Sequence, residues 1–222
     1  MSSSMCIGRI TAAFVLFVGA LAATARADVV FNNFGPGDAF AASGRILEGE
    51  SVGMTADVDQ AASFTVGTVG AFLTDVTLGI GVRDSPAIGT GPLDVILAAD
   101  AAGLPGAALR TLPINVNSTG DQTVTVSDGG TLLLTANTTY WVIADAKTTF
   151  DGAWRFNSTG DVGNNAGRSN IGPWTLFSND DRYALRVEGR PAVPEPATIV
   201  LVGTALTSIC SCCRRNRARR SD

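Results

Sequence analysis

The central body of this 222-residue chain predicts an all-β fold, an antiparallel β-sandwich of jelly-roll type. Three observations carry that expectation. Short apolar runs recur, several with strict period-two alternation; glycine-, asparagine- and proline-rich breaks separate them; and residues 28–192 contain no useful stretch of helical periodicity. Many short strands punctuated by tight turns bury one face each by packing sheet on sheet.

Strands are expected at 29–34, 62–66, 72–82, 93–99, 122–126, 132–134, 139–144, 153–156 and 183–188. The first carries Val29-Val30-Phe31 and stops at Gly35-Pro36-Gly37. In the second, Ala62, Phe64 and Val66 alternate with Ser63 and Thr65. The third places Phe72, Val76, Leu78 and Ile80 on one face and Thr77 and Gly79 on the other. Leu93 to Ala99 is a short apolar run, and Val124 and Val126 then alternate with Thr123 and Thr125. Leu132-Leu133-Leu134, Tyr140-Trp141-Val142, Trp154 with Phe156, and Leu185 with Val187 mark the remaining four. Ser127-Asp128-Gly129-Gly130 and Asp151-Gly152 suit tight turns, whereas Ser158 to Asn179 reads as a long polar, glycine-rich loop.

The two ends differ from the body. Arg9 precedes the apolar run 10–23, and Ala25-Arg26-Ala27 presents small residues at both positions a signal peptidase reads, which predicts cleavage before Asp28; an uncleaved signal anchor is the alternative. At the other end, Val193-Pro194-Glu195-Pro196 disfavours helix because each proline fixes φ, lacks an N–H and pushes the preceding residue toward extended geometry. The following 17 residues, Ala197 to Cys213, would span about 26 Å as a helix, short for a bilayer core of about 30 Å. Arg214, Arg215, Arg217, Arg219 and Arg220 then make a positive-inside stop. The chain thus divides into a signal peptide (1–27), an exported domain (28–192) and a tail (193–222).

That tail resembles the PEP-CTERM sorting signal of envelope bacteria, which has a Pro-Glu-Pro motif, a short transmembrane run and a terminal arginine cluster in this order. The resemblance implies an exosortase-like membrane protease as partner, cutting near Pro194-Glu195-Pro196, and a helix that anchors the protein only until processing. Cys210, Cys212 and Cys213 are less typical of such tails. Within the body, Asn33-Phe34-Gly35-Pro36-Gly37-Asp38, Asp100-Ala101-Ala102-Gly103-Leu104-Pro105-Gly106, Leu134 to Val142 and Tyr183 to Gly189 are similar to the choice-of-anchor R domain. That resemblance implies an exported β domain placed ahead of a C-terminal anchor, and it assigns no catalytic residue.

Composition narrows the chemistry. All four cysteines (Cys6, Cys210, Cys212, Cys213) lie in the end segments, so the body has no disulfide, and the chain has no histidine at all. Ser-His-Asp and Cys-His catalysis and histidine-ligated zinc are therefore excluded. Residues 28–192 hold 18 Asp and Glu against 9 Lys and Arg, a net charge of −9 that disfavours nucleic acid and anionic lipid surfaces. Three glutamates only, Glu48, Glu50 and Glu188, lie in the body, and its aspartates fall mostly at turn positions. A paired-carboxylate glycosidase is disfavoured on that count, and the expectation is a non-enzymatic protein.

Among possible ligands, calcium fits an acidic body that offers only hard oxygen donors. Asp57 with Asp59, Asp38, and Asp180 with Asp181 are the candidate ligands, but none has the spacing of a known calcium loop, so solvated turn carboxylates with no resident metal or cofactor are the expectation and calcium is the alternative. Trp174, after Gly172-Pro173, reads as packing under its loop, with stacking on a sugar as the functional alternative, while Trp141 reads as core. Asn117-Ser118-Thr119-Gly120-Asp121 recurs as Asn157-Ser158-Thr159-Gly160-Asp161, which reads as two similar hairpin connections. The functional expectation is a structural or adhesive protein of the cell envelope or extracellular polysaccharide matrix. The alternative is a carbohydrate-binding module of that matrix.

Overall fold

The computed structural model describes residues 27–50, 57–84 and 89–192. The signal segment up to Arg26, including Ala25, lies outside the described residues, as do the motif Val193-Pro194-Glu195-Pro196 and the arginines Arg214, Arg215, Arg217, Arg219 and Arg220. Among the described residues no helix is long and apolar enough to cross a membrane.

The described chain is all-β, as its alternation predicts, and its strands pair antiparallel. Thirteen strands are described: β1 (Asp28–Asn32), β2 (Phe40–Glu48), β3 (Val58–Thr65), β4 (Ala71–Val82), β5 (Gly91–Ala101), β6 (Leu104–Val116), β7 (Gly120–Ser127), β8 (Leu133–Leu134), β9 (Thr139–Ala146), β10 (Asp151–Asn157), β11 (Val162–Ser169), β12 (Thr175–Asp181) and β13 (Leu185–Pro191). They form one curled sheet with two arms. In the first arm β4 is central: β1 and β13 lie along one edge of it, β7 and β8 along the other. In the second arm β6, β5, β9, β3, β11 and β12 follow one another. β10 and β2 link the arms, β10 pairing with β4 and β2 touching β3 at Glu48–Val58.

The arms close on a shared core. Val76, Leu78 and Ile80 of β4, Val124 and Val126 of β7, and Leu185 and Val187 of β13 meet Leu93, Val95 and Leu97 of β5 and Val142 of β9. At the junction Trp154 and Tyr183 stack at 4.9 Å, and Phe156 stacks on the other side of Tyr183 at 5.5 Å. Their polar atoms are satisfied: Trp154 Nε1 donates to the Ala184 carbonyl at 2.9 Å, and the Tyr183 hydroxyl donates to Gln60 Oε1 at 2.8 Å. Burial pushes the Tyr183 hydroxyl above its ordinary pKa, so it remains a donor.

Three sequence expectations need correction. Strict alternation along β4 fails at its first third, where Leu73 is buried and Phe72 is not. Glu188 pairs with Asp75 but Gly189 pairs with Leu73, so Thr74 is an extra residue, and this β-bulge exchanges the faces of the residues before it. Second, the stretch 158–179 is not one loop, because β11 and β12 form a hairpin inside it. Third, the repeated Asn-Ser-Thr-Gly-Asp segments close no hairpins. The first joins β6 to β7 and the second joins β10 to β11, and each carries the chain between strands whose partners differ.

The second copy is also locked by its own side chain. Asn157 Oδ1 accepts from Thr159 N, Thr159 Oγ1 and Asp161 N, and Nδ2 donates to the carbonyls of Asp161 and Arg182. This buried amide is fully engaged, whereas Asn117 of the first copy is exposed.

The bulge can be tested by two truncations measured by urea unfolding. Leu73→Ala should destabilise by about 2–5 kcal/mol, as for a buried leucine, and Phe72→Ala by less than half as much. The reverse order would restore unbroken alternation.

Candidate functional site

The outer face of the second arm carries the densest charge arrangement among the described residues, and strand register builds it. In β3, Ala61 faces away from the shared core, and its partners Ile143 in β9 and Ile96 in β5 form a row across the sheet that Ala166 of β11 continues. These residues belong to a small second cluster with Ala98 and Trp141, against which Leu104 and Trp174 pack. Side chains alternate along a strand, so residues two positions on share that face. Two positions on are Asp94 in β5, Asp145 in β9, Asp59 in β3 and Arg168 in β11.

Asp94 and Asp145 are direct cross-strand partners, and Asp59 pairs with Arg168 on its other side. The β3–β9 register places Asp59 opposite Asp145, one step on from the Gln60–Ala144 pair. Asp57 precedes Asp59 by two residues and joins them: one carboxylate oxygen from each of Asp57, Asp59 and Asp145 lies within 4.8 Å of the others. Like charges directly opposite on neighbouring strands are destabilising, so this row departs from what packing alone would select.

Two cations answer the carboxylates. Arg168 Nε donates to Asp59 Oδ2 at 2.6 Å, and Lys147 Nζ lies 2.5 Å from Asp145 Oδ2 and 3.8 Å from Asp94 Oδ2. Burial, together with the charge of Asp145, pushes the Asp59 carboxyl up to about 6 despite its bond to Arg168. Asp57 is raised for the same reasons. Desolvation pulls the Lys147 ammonium down, but its bond to Asp145 and the nearby Asp94 and Asp59 outweigh this and hold it above its ordinary value.

Trp174 lies in the β11–β12 connection, beside this row. Its ring is half-buried against the second cluster, and the Arg168 guanidinium sits 4.6 Å from its centroid. Arg168 therefore links the indole to Asp59. Trp141 is fully buried, with Nε1 donating to Asp100 Oδ1 at 2.8 Å. Of the residues expected to ligate calcium, Asp57 and Asp59 come together, whereas Asp38 pairs with Arg186 and Asp180 with Arg45. Sequence reading missed Asp145, which lies 86 residues beyond Asp59 and meets it only through β3–β9 pairing. Ala27 and Asp28, which flank the expected signal cleavage, are exposed at the start of β1.

Comparison with models of known protein families and with curated proteins finds no match.

The raised Asp59 carboxyl fixes a pH dependence. A folded pKa near 6 above an ordinary value of 3.8 means that the native state binds more protons than the unfolded one in that window. This contribution is fully present below the unfolded pKa and is lost as pH rises through about 6. Metal-free Asp59→Asn protein should therefore lose less stability than wild type between pH 5 and pH 7, roughly one pH unit's worth of linkage in a thermal-melt series. Parallel pH profiles would show that Asp59 is ionised throughout.

Proposed function

We propose that this chain is an exported, non-enzymatic protein of the cell envelope or extracellular matrix, sorted by an exosortase-like protease that acts on its C-terminal tail. The observation that carries the reading is the order Val193-Pro194-Glu195-Pro196, short apolar run, arginine cluster, directly after the last strand. A marginally apolar segment followed by five arginines halts translocation without forming a durable anchor.

The geometry of the body is compatible with cleavage at both ends. Its strands begin at Asp28, the residue after the signal-peptidase site, and end at Pro191, two residues before the sorting motif. β1 and β13 are hydrogen-bonded neighbours, Asp28 opposite Gly189, so removal of both end segments leaves every described strand pairing intact. We read the closure of the two arms on one core as a sandwich of jelly-roll type, and its tail-proximal position supports the likeness to a choice-of-anchor R domain. A structural or adhesive role in a polysaccharide matrix follows from this destination, with signal peptidase and the sorting protease as processing partners.

Replacing Pro194, Glu195 and Pro196 together by alanine should leave the protein uncut in the inner-membrane fraction of its host, detected as a larger intact mass. Unchanged maturation of that variant would overturn the sorting reading.

A further inference from the structure

We propose that Asp57, Asp59 and Asp145 form a binding site for a hard divalent cation, calcium foremost, on the outer face of the β3–β9 pair. This inference does not depend on the sorting reading.

The dimensions fit. Three carboxylate oxygens within 4.8 Å of one another can share an ion whose oxygen ligands stand about 2.3–2.6 Å away, because two such bonds span about 4.6–5.2 Å at most. The donor set is oxygen alone, which selects calcium or magnesium over zinc or copper. Three protein ligands leave the remaining positions to water, which suits a weak site of about 10⁻⁴–10⁻³ M, as in extracellular modules.

A second observation points to a ligand independently of the clustering. Asp59 is 2% exposed, and its Oδ1 has no hydrogen-bond partner among the described residues, since Arg168 engages Oδ2 alone. The buried Oδ1 of Asp57 is likewise without a partner. A buried carboxylate oxygen in that condition is costly unless a cation or water completes it. Charge points the same way: among the described residues Lys147 and Arg168 answer Asp57, Asp59, Asp94 and Asp145, and Glu50 adds its charge at Asp57, so the cluster keeps an excess of negative charge that a divalent ion offsets.

Lys147 is the competitor. Its ammonium holds Asp145 at 2.5 Å, but its side chain is 41% exposed and can turn to solvent when an ion enters. The site therefore exchanges an internal ammonium for an external divalent ion, and this exchange separates it from a completed ion-pair network.

The test uses the full-length chain, chelator-treated and in detergent, with calcium chloride as the probe and potassium chloride of equal ionic strength as control. Millimolar calcium should raise the Tm by about 3 °C or more, and terbium should show luminescence sensitised by Trp174 that calcium displaces. Asp57→Asn, at a half-buried position that tolerates an isosteric amide, should weaken calcium binding at least about tenfold. Lys147→Gln should lower the metal-free Tm yet tighten calcium binding several-fold. Absence of any calcium-specific Tm shift and terbium signal in the wild type overturns the proposal. So does a calcium affinity unchanged by Asp57→Asn, which means that the ion binds elsewhere, or a Lys147→Gln protein that is destabilised without binding calcium more tightly, which means that Lys147 already completes the site.

Discussion

The register of β3 against β9 is the constraint on which the outer face depends. Once Ala61 stands opposite Ile143 and Ala62 opposite Val142, one set of side chains enters the shared core and the other must be covered from outside. β9 is buried along nearly its whole length on both faces, and Trp174 of the β11–β12 connection and Leu104 of β6 pack against the second cluster. The same register brings Asp59 beside Asp145 at the end of the apolar rows. A one-residue slip of β3 against β9 would send Asp59 into the core and Ala62 and Phe64 outward while Asp145 kept its face, so the charge row and the two clusters stand or fall together.

Body stability without disulfides rests on this double burial, and the charged residues do a different job. Eight of the nine body cations pair with aspartates: Arg45, Arg83, Arg110, Lys147, Arg155, Arg168, Arg182 and Arg186; Arg190 donates instead to the Gly130 carbonyl. Most of these pairs are partly exposed and contribute little singly. Their consequence is that the protein's own cations are committed, while acidic groups outnumber them two to one across the body. On most of the surface water does this. At Asp59 the burial is too complete for water to do so freely, and the carboxyl is pushed toward protonation.

The all-β class was legible because alternation is a local property: β7 and the later half of β4 show it residue by residue. Four strands escaped for identifiable reasons. β6 contains Pro105 and Pro113, which argue against a strand, yet it is an edge strand paired only with β5, where a missing N–H is tolerated. β11 and β12 are polar, and the pairing of β11 with β3 is what orders them. β2 interrupts its apolar residues with Gly44 and Arg45, and the backbone of Trp154 lies where a Cβ on Gly44 would stand. The bulge at Thr74 has no local signature, because it exists only relative to β13. The candidate site was half legible: Asp57 and Asp59 stood out as a close acidic pair, but Asp145 and Arg168 join them through long-range pairing that no single segment encodes.

The most direct measurement is a crystal structure of the protein grown with a lanthanide, read for an anomalous peak. The register account predicts one strong peak bonded to Asp57, Asp59 and Asp145, with the Lys147 side chain turned outward. Asp59 and Asp145 facing opposite sides of the sheet, or Lys147 clasping Asp145 with no peak between the carboxylates, would contradict it.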